Sequence, residues 1–193
     1  MHKYIYILFL LFITTNLVAQ DTLMFDVKTK LFSLGKLNVI KTQSADSDTI
    51  TYNLESTLTV FSFYNIDYTL NTTFLSGILC SSKCSIIVNG KYNHLCTTTL
   101  IDTIYLVQHN SDKPFTHCVP ITSGVTPLYF GESIESDSIF SEYSGNYRPF
   151  IQENDSTYIL DPNNPMEFIF REGRINRVVV PNPIMDFYII LAH

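Results

Sequence analysis

The sequence lacks tryptophan and is poor in glycine. Its 193 residues include 7 glycines, 8 prolines and 4 cysteines, against 14 phenylalanines and 12 tyrosines. Few glycines and many threonine, isoleucine and valine residues favour strands over helices. Because no repeat, low-complexity tract or domain linker is visible, the composition indicates a single all-β, mainly antiparallel domain.

Positive charge is also scarce. The chain has 12 lysine and arginine residues against 18 aspartate and glutamate residues, and its formal net charge is −6. Such a balance offers no basic face to nucleic acid, so we expect no nucleic-acid partner. We also expect no transmembrane span in the mature chain, because its last apolar run, residues 184–191, is only as long as a strand.

Catalytic motifs are missing as well. The sequence has no Gly-x-Ser-x-Gly elbow, no phosphate-binding loop and no metalloprotease helix motif. The histidines of the mature chain, His94, His109, His117 and His193, stand apart from one another. Two carboxylate pairs, Glu132 with Glu135 and Asp155 with Asp161, lie in polar sequence that is typical of solvated charge. We therefore predict a non-enzymatic domain without catalytic residues, cofactor or metal.

The first 19 residues have the three parts of a secretory signal peptide. Lys3 provides a positive start, residues 4–13 are apolar, and the small Ala19 precedes Gln20. The alternative is a membrane anchor, but the apolar stretch is shorter than the ~20 residues that span a bilayer. We predict a signal peptide over residues 1–19, a single domain over residues 20–193 and no lipid anchor, since no cysteine follows the cut.

Two long segments alternate between apolar and polar side chains, which is the period of a β-strand with one buried face. They are Thr49–Val60 and residues 65–74, and both exceed the usual strand length of about 5 or 6 residues. Ser56 and Thr72 are the polar residues on the apolar face. Its large members are Tyr52, Leu54, Leu58, Val60, Ile66, Tyr68, Leu70 and Phe74.

This face has two interpretations. Its residues line a trough for a hydrophobic or lipid-like ligand, or they fill an ordinary core. Long strands predict a wide, strongly curved sheet, whose inner face needs a second layer or a ligand to cover it. The sequence offers little helix for that layer. The one candidate helix spans residues 125–130 and follows Thr122 and Ser123 as capping residues.

Turn signals separate the other strands. Asn89-Gly90 and Glu172-Gly173 each predict a hairpin, because both central residues of a type I′ turn need positive φ. Residues 184–191 read as a closing strand. The least regular stretch, residues 109–120, predicts a long loop.

The cysteines are Cys80, Cys84, Cys96 and Cys118. An even number in an exported protein predicts two disulfides, for which three pairings exist, whereas a metal site would favour a Cys-x-x-Cys pair that is absent. A hairpin around residues 81–83 would pair Cys80 with Cys84 and leave Cys96 for Cys118. The Asn89-Gly90 register places Cys84 and Cys96 on opposite faces unless a bulge intervenes.

A short motif, Asp followed by Ser or Thr and then an apolar residue or Thr, recurs along the chain. It resembles the O-glycosylation signal of exported Bacteroidota proteins, and a glycan there would be a bulky surface group. The alternative is that strands of a threonine-rich protein simply begin with Asp-Thr. The candidate hydroxyls are those of Thr22, Thr49, Thr103, Ser138 and Ser156.

Several short segments together resemble an uncharacterised family of small exported Bacteroidota domains of unknown function. Ser133 departs from that pattern, which has proline there, and the cysteines are peculiar to this chain. The matching segments are residues 25–27, 34–37, 74–77, 128–132, 139–143 with Gly145, and 168–173. That family is distantly similar to the half-barrel superfamily of the lipoprotein carriers LolA and LolB.

The resemblance implies an open antiparallel half-barrel with a short helical lid, located in the periplasm or on the surface of a Gram-negative bacterium. It brings no catalytic residues with it. We therefore predict an exported domain that binds a hydrophobic or lipid-like ligand. The alternative is a structural or protein-interaction module of the cell envelope without a small-molecule site.

Overall fold

The computed structural model describes residues 19–44, 48–61, 63–183 and 185–192, so the predicted signal peptide lies almost entirely outside the described residues. The described part holds 14 strands and one short helix, α1 (Val125–Leu128). The strands are β1 (Ala19–Lys28), β2 (Ser33–Gln43), β3 (Thr49–Val60), β4 (Tyr64–Leu75), β5 (Ile78–Val88), β6 (Lys91–Ile101), β7 (Ile104–His109), β8 (Phe115–His117), β9 (Ser138–Ser141), β10 (Asn146–Asn154), β11 (Thr157–Leu160), β12 (Met166–Arg171), β13 (Arg174–Val180) and β14 (Phe187–Leu191).

All strands belong to one antiparallel sheet. Each strand pairs with its neighbours in the chain, except that β8 and β9 do not pair, and β1 pairs with β14 to join the two halves. Across the described residues, β8 and β9 therefore remain the edges of an open, barrel-like sheet, with α1 between them in the chain. The predicted all-β fold with one short helix is confirmed.

The period-two segments form the longest strands. β3 has the predicted bounds, and its register with β4 is unbroken from Thr49 opposite Leu75 to Val60 opposite Tyr64. The Asn89-Gly90 turn has φ values of 49° and 78°, and the Glu172-Gly173 turn has 54° and 75°, as the two type I′ signals require. Local sequence therefore sets both the strand faces and these hairpins.

The predicted hairpin between Cys80 and Cys84 is wrong. The chain turns earlier, at Ser76-Gly77, where φ is 50° and 77°, and β5 then runs without a break past both cysteines. The two lie on one strand and cannot face each other. Instead, a β-bulge between Ile86 and Ile87 shifts the register and places Cys84 directly opposite Cys96. The register extrapolated from the Asn89-Gly90 turn did not include this bulge. All four cysteines are free thiols in the structure.

Other boundaries differ from the prediction by short segments. β14 begins at Phe187 instead of residue 184. The predicted long loop over residues 109–120 contains β8, which pairs with β7. Three residues are too few for a visible period, so the sequence does not reveal this edge strand.

The two edge strands, β8 and β9, do not pair through backbone hydrogen bonds, and side-chain contacts connect the two edges of the sheet instead. The turn between β9 and β10 lies against the inner face of β6 to β8, where His94 Nε2 donates to the Tyr143 carbonyl at 2.8 Å and His117 Nε2 donates to the Gly145 carbonyl at 2.9 Å. The His94 and Tyr143 rings stack with centroids 3.9 Å apart. A Cβ on Gly145 would lie 2.4 Å from Val107 Cγ1, so this close approach requires glycine.

Candidate ligand-binding cavity

An apolar cavity of about 420 Å³ lies against the inner face of the sheet. Binding sites for small molecules usually span ~300–1,000 Å³ and are mostly apolar with a few polar groups. The near wall comes from β1 to β6, and the far wall comes from β11 to β14. The segment from α1 to Tyr143 forms the rest of the boundary.

The structure divides the predicted apolar face into two parts. Leu58, Val60, Ile66, Tyr68 and Leu70 line the cavity. The remaining members, Tyr52, Leu54 and Phe74, are buried in the core.

The buried part of the face is covered by residues that follow α1. The ring of Tyr52 contacts Phe74 at a centroid distance of 6.0 Å and Phe130 at 5.9 Å. Its hydroxyl donates to Glu132 Oε2 at 2.5 Å, and Lys41 forms an ion pair with the other oxygen of that carboxylate. Burial, followed by the contact with Glu132, raises the pKa of Tyr52. Glu132 therefore stabilises the covered end of the sheet.

Sequence reasoning missed the rest of the lining. Val27, Leu37, Ile86, Val88 and Asn93 also belong to the near wall. A period-two reading extended to β1 and β2 would have found Val27 and Leu37, whereas Ile86, Ile87 and Val88 are all apolar and show no alternation. The far wall comes from shorter strands, whose place opposite β3 depends on the pairing of β1 with β14. Its members are Leu160, Met166, Val180, Phe187 and Ile189.

Glu142 is the acidic residue of the lining. It is buried, and its carboxylate accepts hydrogen bonds from Val125 N at 3.0 Å, Thr126 N at 3.1 Å and Thr126 Oγ1 at 2.8 Å. The first backbone amides of α1 thus donate their hydrogen bonds to Glu142, which follows the helix by more than a dozen residues. The predicted capping by Thr122 and Ser123 is wrong. Burial raises the pKa of Glu142, and these hydrogen bonds partly offset the rise.

Other ionisable groups near Glu142 hold their protons. Burial raises the pKa of the Cys84 thiol to about 12 and that of the Cys96 thiol to about 11, with a smaller contribution from Glu142. Burial also raises the pKa of Tyr68 and Tyr129. Of these groups, Tyr68 and Tyr129 line the cavity, and the two thiols lie behind the lining residues in the buried core.

A family profile for a domain of unknown function, DUF6134, matches residues 25–192. The chain belongs to this family. No curated protein sequence matches the DUF6134 chain.

The DUF6134 domain is also similar in fold to a protein of known structure. The match is to the crystal structure of a beta-barrel-like protein of domain of unknown function DUF1849 from Brucella abortus, with a TM-score of 0.58 and 12% sequence identity. The match covers 93% of this chain and 98% of that chain. At this identity the likeness concerns the fold alone, and it agrees with the open barrel-like sheet described above.

The remaining candidate residues of the DUF6134 domain lie outside the cavity. Cys118 is exposed and Cys80 is half-buried. Thr49 is half-buried at the start of β3, and modification of any candidate hydroxyl stays a prediction. The exposed candidate hydroxyls are those of Thr22, Thr103, Ser138 and Ser156.

Two further observations concern metal-ion ligands and membrane-spanning helices. Within the described ranges, no three histidine, cysteine or acidic side chains converge on a position that could hold a metal ion. No helix among the described residues has the length and apolar character needed to cross a bilayer.

Proposed function

We propose that this domain binds a hydrophobic, lipid-like molecule in the cavity, without catalysing a reaction. The observation that carries the proposal is the contrast on one face of β3 and β4, where Leu54 is 1% exposed but Leu58 borders a cavity of about 420 Å³. Binding is favourable when an apolar molecule replaces the water beside apolar walls, because apolar surface is removed from water.

The lining restricts the chemistry of the ligand. Among the described residues, those that line the cavity include no lysine or arginine, and Glu142 is the one acid. An anionic head group carried into the cavity by a bound chain would meet no opposite charge, and the ligand itself would displace the water that could hydrate it. The proposed ligand therefore places an apolar chain inside, with a head group that is either uncharged or outside the cavity.

The proposed location is the periplasm or the cell surface of a Gram-negative bacterium. It is supported by the three-part pattern of residues 1–19 and by the resemblance to exported Bacteroidota domains and, distantly, to LolA and LolB. N-terminal sequencing of the protein from its host is expected to begin at Gln20. Recovery of the protein with residues 1–19 retained would contradict export by this signal.

Ligand binding is tested by titrating the protein with a fluorescent long-chain fatty alcohol and a matching fatty acid. Leu58→Glu places a carboxylate in the cavity, and Thr59→Glu places the same group on the exposed face of the same strand. We expect Leu58→Glu to stay folded and lose binding, while Thr59→Glu binds like the unaltered protein.

Failure of both probes to bind the unaltered protein, together with unfolding of Leu58→Glu, would contradict the proposal. The domain would then be better described as a structural or interaction module of the envelope. Native mass spectrometry of protein from its host provides an independent check, because a bound lipid or an attached glycan would appear as added mass.

A further inference from the structure

Aromatic side chains are exposed where β3 turns into β4. Phe61 is 47% exposed, Phe63 is 65% exposed and Tyr64 is 46% exposed. Ring centroids are 5.8 Å apart between Phe32 and Phe61, 6.3 Å between Phe61 and Phe63, and 4.9 Å between Phe63 and Tyr64. We call these four residues the aromatic tip. Contiguous exposed apolar groups of this kind mark interaction surfaces.

The aromatic tip joins three neighbouring hairpins. Phe32 belongs to the β1–β2 connection, so its contact with Phe61 links that hairpin to β3–β4. Asn89 N donates to the Asn65 carbonyl at 2.8 Å, and Asn65 N donates to Asn89 Oδ1 at 2.9 Å, which links β3–β4 to β5–β6. Further large exposed side chains flank the tip at Leu31 and Tyr92.

The same end of the sheet holds the cavity. Val60 is opposite Tyr64, and Val88 immediately precedes the Asn89-Gly90 turn. Val60, Ile66 and Val88 all line the cavity. A molecule that enters or leaves beside these residues would pass next to the aromatic tip.

The charge of the three hairpin ends differs from that of the whole chain. Lys28, Lys30 and Lys91 lie in or beside them, and residues 28–32, 61–66 and 89–92 contain no aspartate or glutamate. The chain as a whole has a net charge of −6. This local positive charge on an otherwise acidic protein favours binding of this end of the domain to an anionic surface.

We propose that the aromatic tip docks on the surface of a lipid bilayer that contains anionic lipids. Phenylalanine and tyrosine rings favour the membrane interface, and nearby lysines are attracted to anionic head groups. Docking would hold the cavity end of the domain against the membrane. The proposal goes beyond ligand binding and is tested apart from it, because a domain without a ligand in its cavity would still dock.

Vesicle flotation tests the docking. The protein is mixed with vesicles of phosphatidylcholine, or of equal parts phosphatidylcholine and phosphatidylglycerol. The variant Phe61→Ser/Phe63→Ser removes the exposed rings. Its matched control, Leu75→Ser/Ile101→Ser, removes exposed apolar side chains at the opposite end of the sheet, where Leu75 is 47% and Ile101 is 53% exposed.

The unaltered protein and the control are expected to float with the phosphatidylglycerol vesicles. Binding of the tip variant should be weaker by about tenfold or more, because interfacial binding scales with the apolar area inserted. Lys28→Glu/Lys91→Glu should weaken binding to the anionic vesicles and leave binding to phosphatidylcholine unchanged. If the double tip variant unfolds, Phe63→Ser alone provides the same comparison at the most exposed ring.

Two results would overturn the docking proposal. One is failure of the folded, unaltered protein to float with either vesicle, in which case the aromatic tip would be interpreted as a binding surface for another protein. The other is flotation of the folded tip variants as efficient as that of the unaltered protein. Binding of a fluorescent fatty alcohol in solution separates the two proposals, since the tip variants should keep it and Leu58→Glu should lose it while still floating.

Discussion

The inner face of β3 and β4 has two ends that look alike in sequence and differ in the structure. At one end, Tyr52, Leu54 and Phe74 are buried under Phe130 and the residues around it. At the other end, Leu58 and Ile66 border the cavity. Both ends alternate with the same period and carry the same types of side chain. Periodicity therefore identifies the inward face of a strand, whereas the elements packed above it decide whether that face is filled.

The two ends also differ in how their buried hydroxyls are satisfied. At the cavity end, Ser56 Oγ donates to the Lys36 carbonyl at 2.7 Å. Beyond it, Thr72, Ser82 and Thr98 lie in one row across β4, β5 and β6, and their hydroxyls find no hydrogen-bond partner among the described residues. The more tightly packed end is thus the one that contains uncompensated polar groups.

The largest expected effect comes from adding charge at each end. We expect Leu54→Glu to unfold the domain, because an unpaired buried carboxylate costs several kcal/mol, comparable to the whole stability of many domains. Leu58→Glu should leave the fold intact, since the cavity can hydrate the charge. Far-ultraviolet circular dichroism and urea unfolding of the two variants measure the difference. Equal loss of stability would remove the distinction between the two ends.

Oxidation of Cys84 and Cys96 should stabilise the wall next to the cavity. The two thiols and one glutathione disulfide would give a Cys84–Cys96 disulfide and two molecules of glutathione, because opposed strand residues lie within disulfide range. A loop of this size adds about 3 kcal/mol in the chain-entropy model. Peptide mapping without reduction, followed by urea unfolding, measures both the bond and its effect.

This bond should form during refolding and not in the folded protein. Both thiols are buried, and their raised pKa values leave little thiolate to exchange. Cys84→Ser is the control, since it removes the bond. A peptide that joins Cys80 to Cys84 would contradict the register of β5.

Sequence patterns predicted the part of the fold that depends on local chemistry. The strand β3, its inward face and the Asn-Gly turn follow from alternation and from residues that tolerate positive φ. The opposition of Cys84 and Cys96 depends on a bulge at Ile86, which has no local signal. Likewise, the carboxylate of Glu142 lies close to α1 because a parallel bridge between Gly124 and Phe140 sets β9 beside the start of the helix, and this bridge has no local sequence signal.

Removing one buried hydroxyl at each end should change the free energy of unfolding by a smaller amount, and the change should have opposite signs at the two ends. Thr98→Val keeps the shape of the side chain and deletes an unpartnered buried hydroxyl, so it should raise the free energy of unfolding by about 1 kcal/mol. Ser56→Ala deletes a hydroxyl that donates a hydrogen bond and should lower that free energy by about 1 kcal/mol. Urea unfolding measures both changes. A loss of stability in Thr98→Val would show that its hydroxyl is satisfied.

The smallest effect concerns pH at the cavity end, where His94 contacts Tyr143. Burial is the main reason that the pKa of His94 is lowered from 6.5, because the protonated ring would lose its hydration. The unfolded chain therefore takes up this proton more readily than the folded domain. The contribution of His94 to stability is fully present above pH 6.5 and is lost as the pH falls through 6.5 towards the lowered folded value.

His94→Gln removes this titration while keeping an amide that can donate to the Tyr143 carbonyl. The unaltered protein should be the more stable of the two above neutrality, through the ring stacking on Tyr143. Its advantage should shrink as the pH falls below 6.5, because only the unaltered protein has the buried imidazole to protonate. Urea unfolding of both proteins across this range measures the difference. An advantage that stays constant with pH would mean that His94 has the same pKa in the folded and unfolded chain, and that the contact between the two edges of the sheet is insensitive to acid.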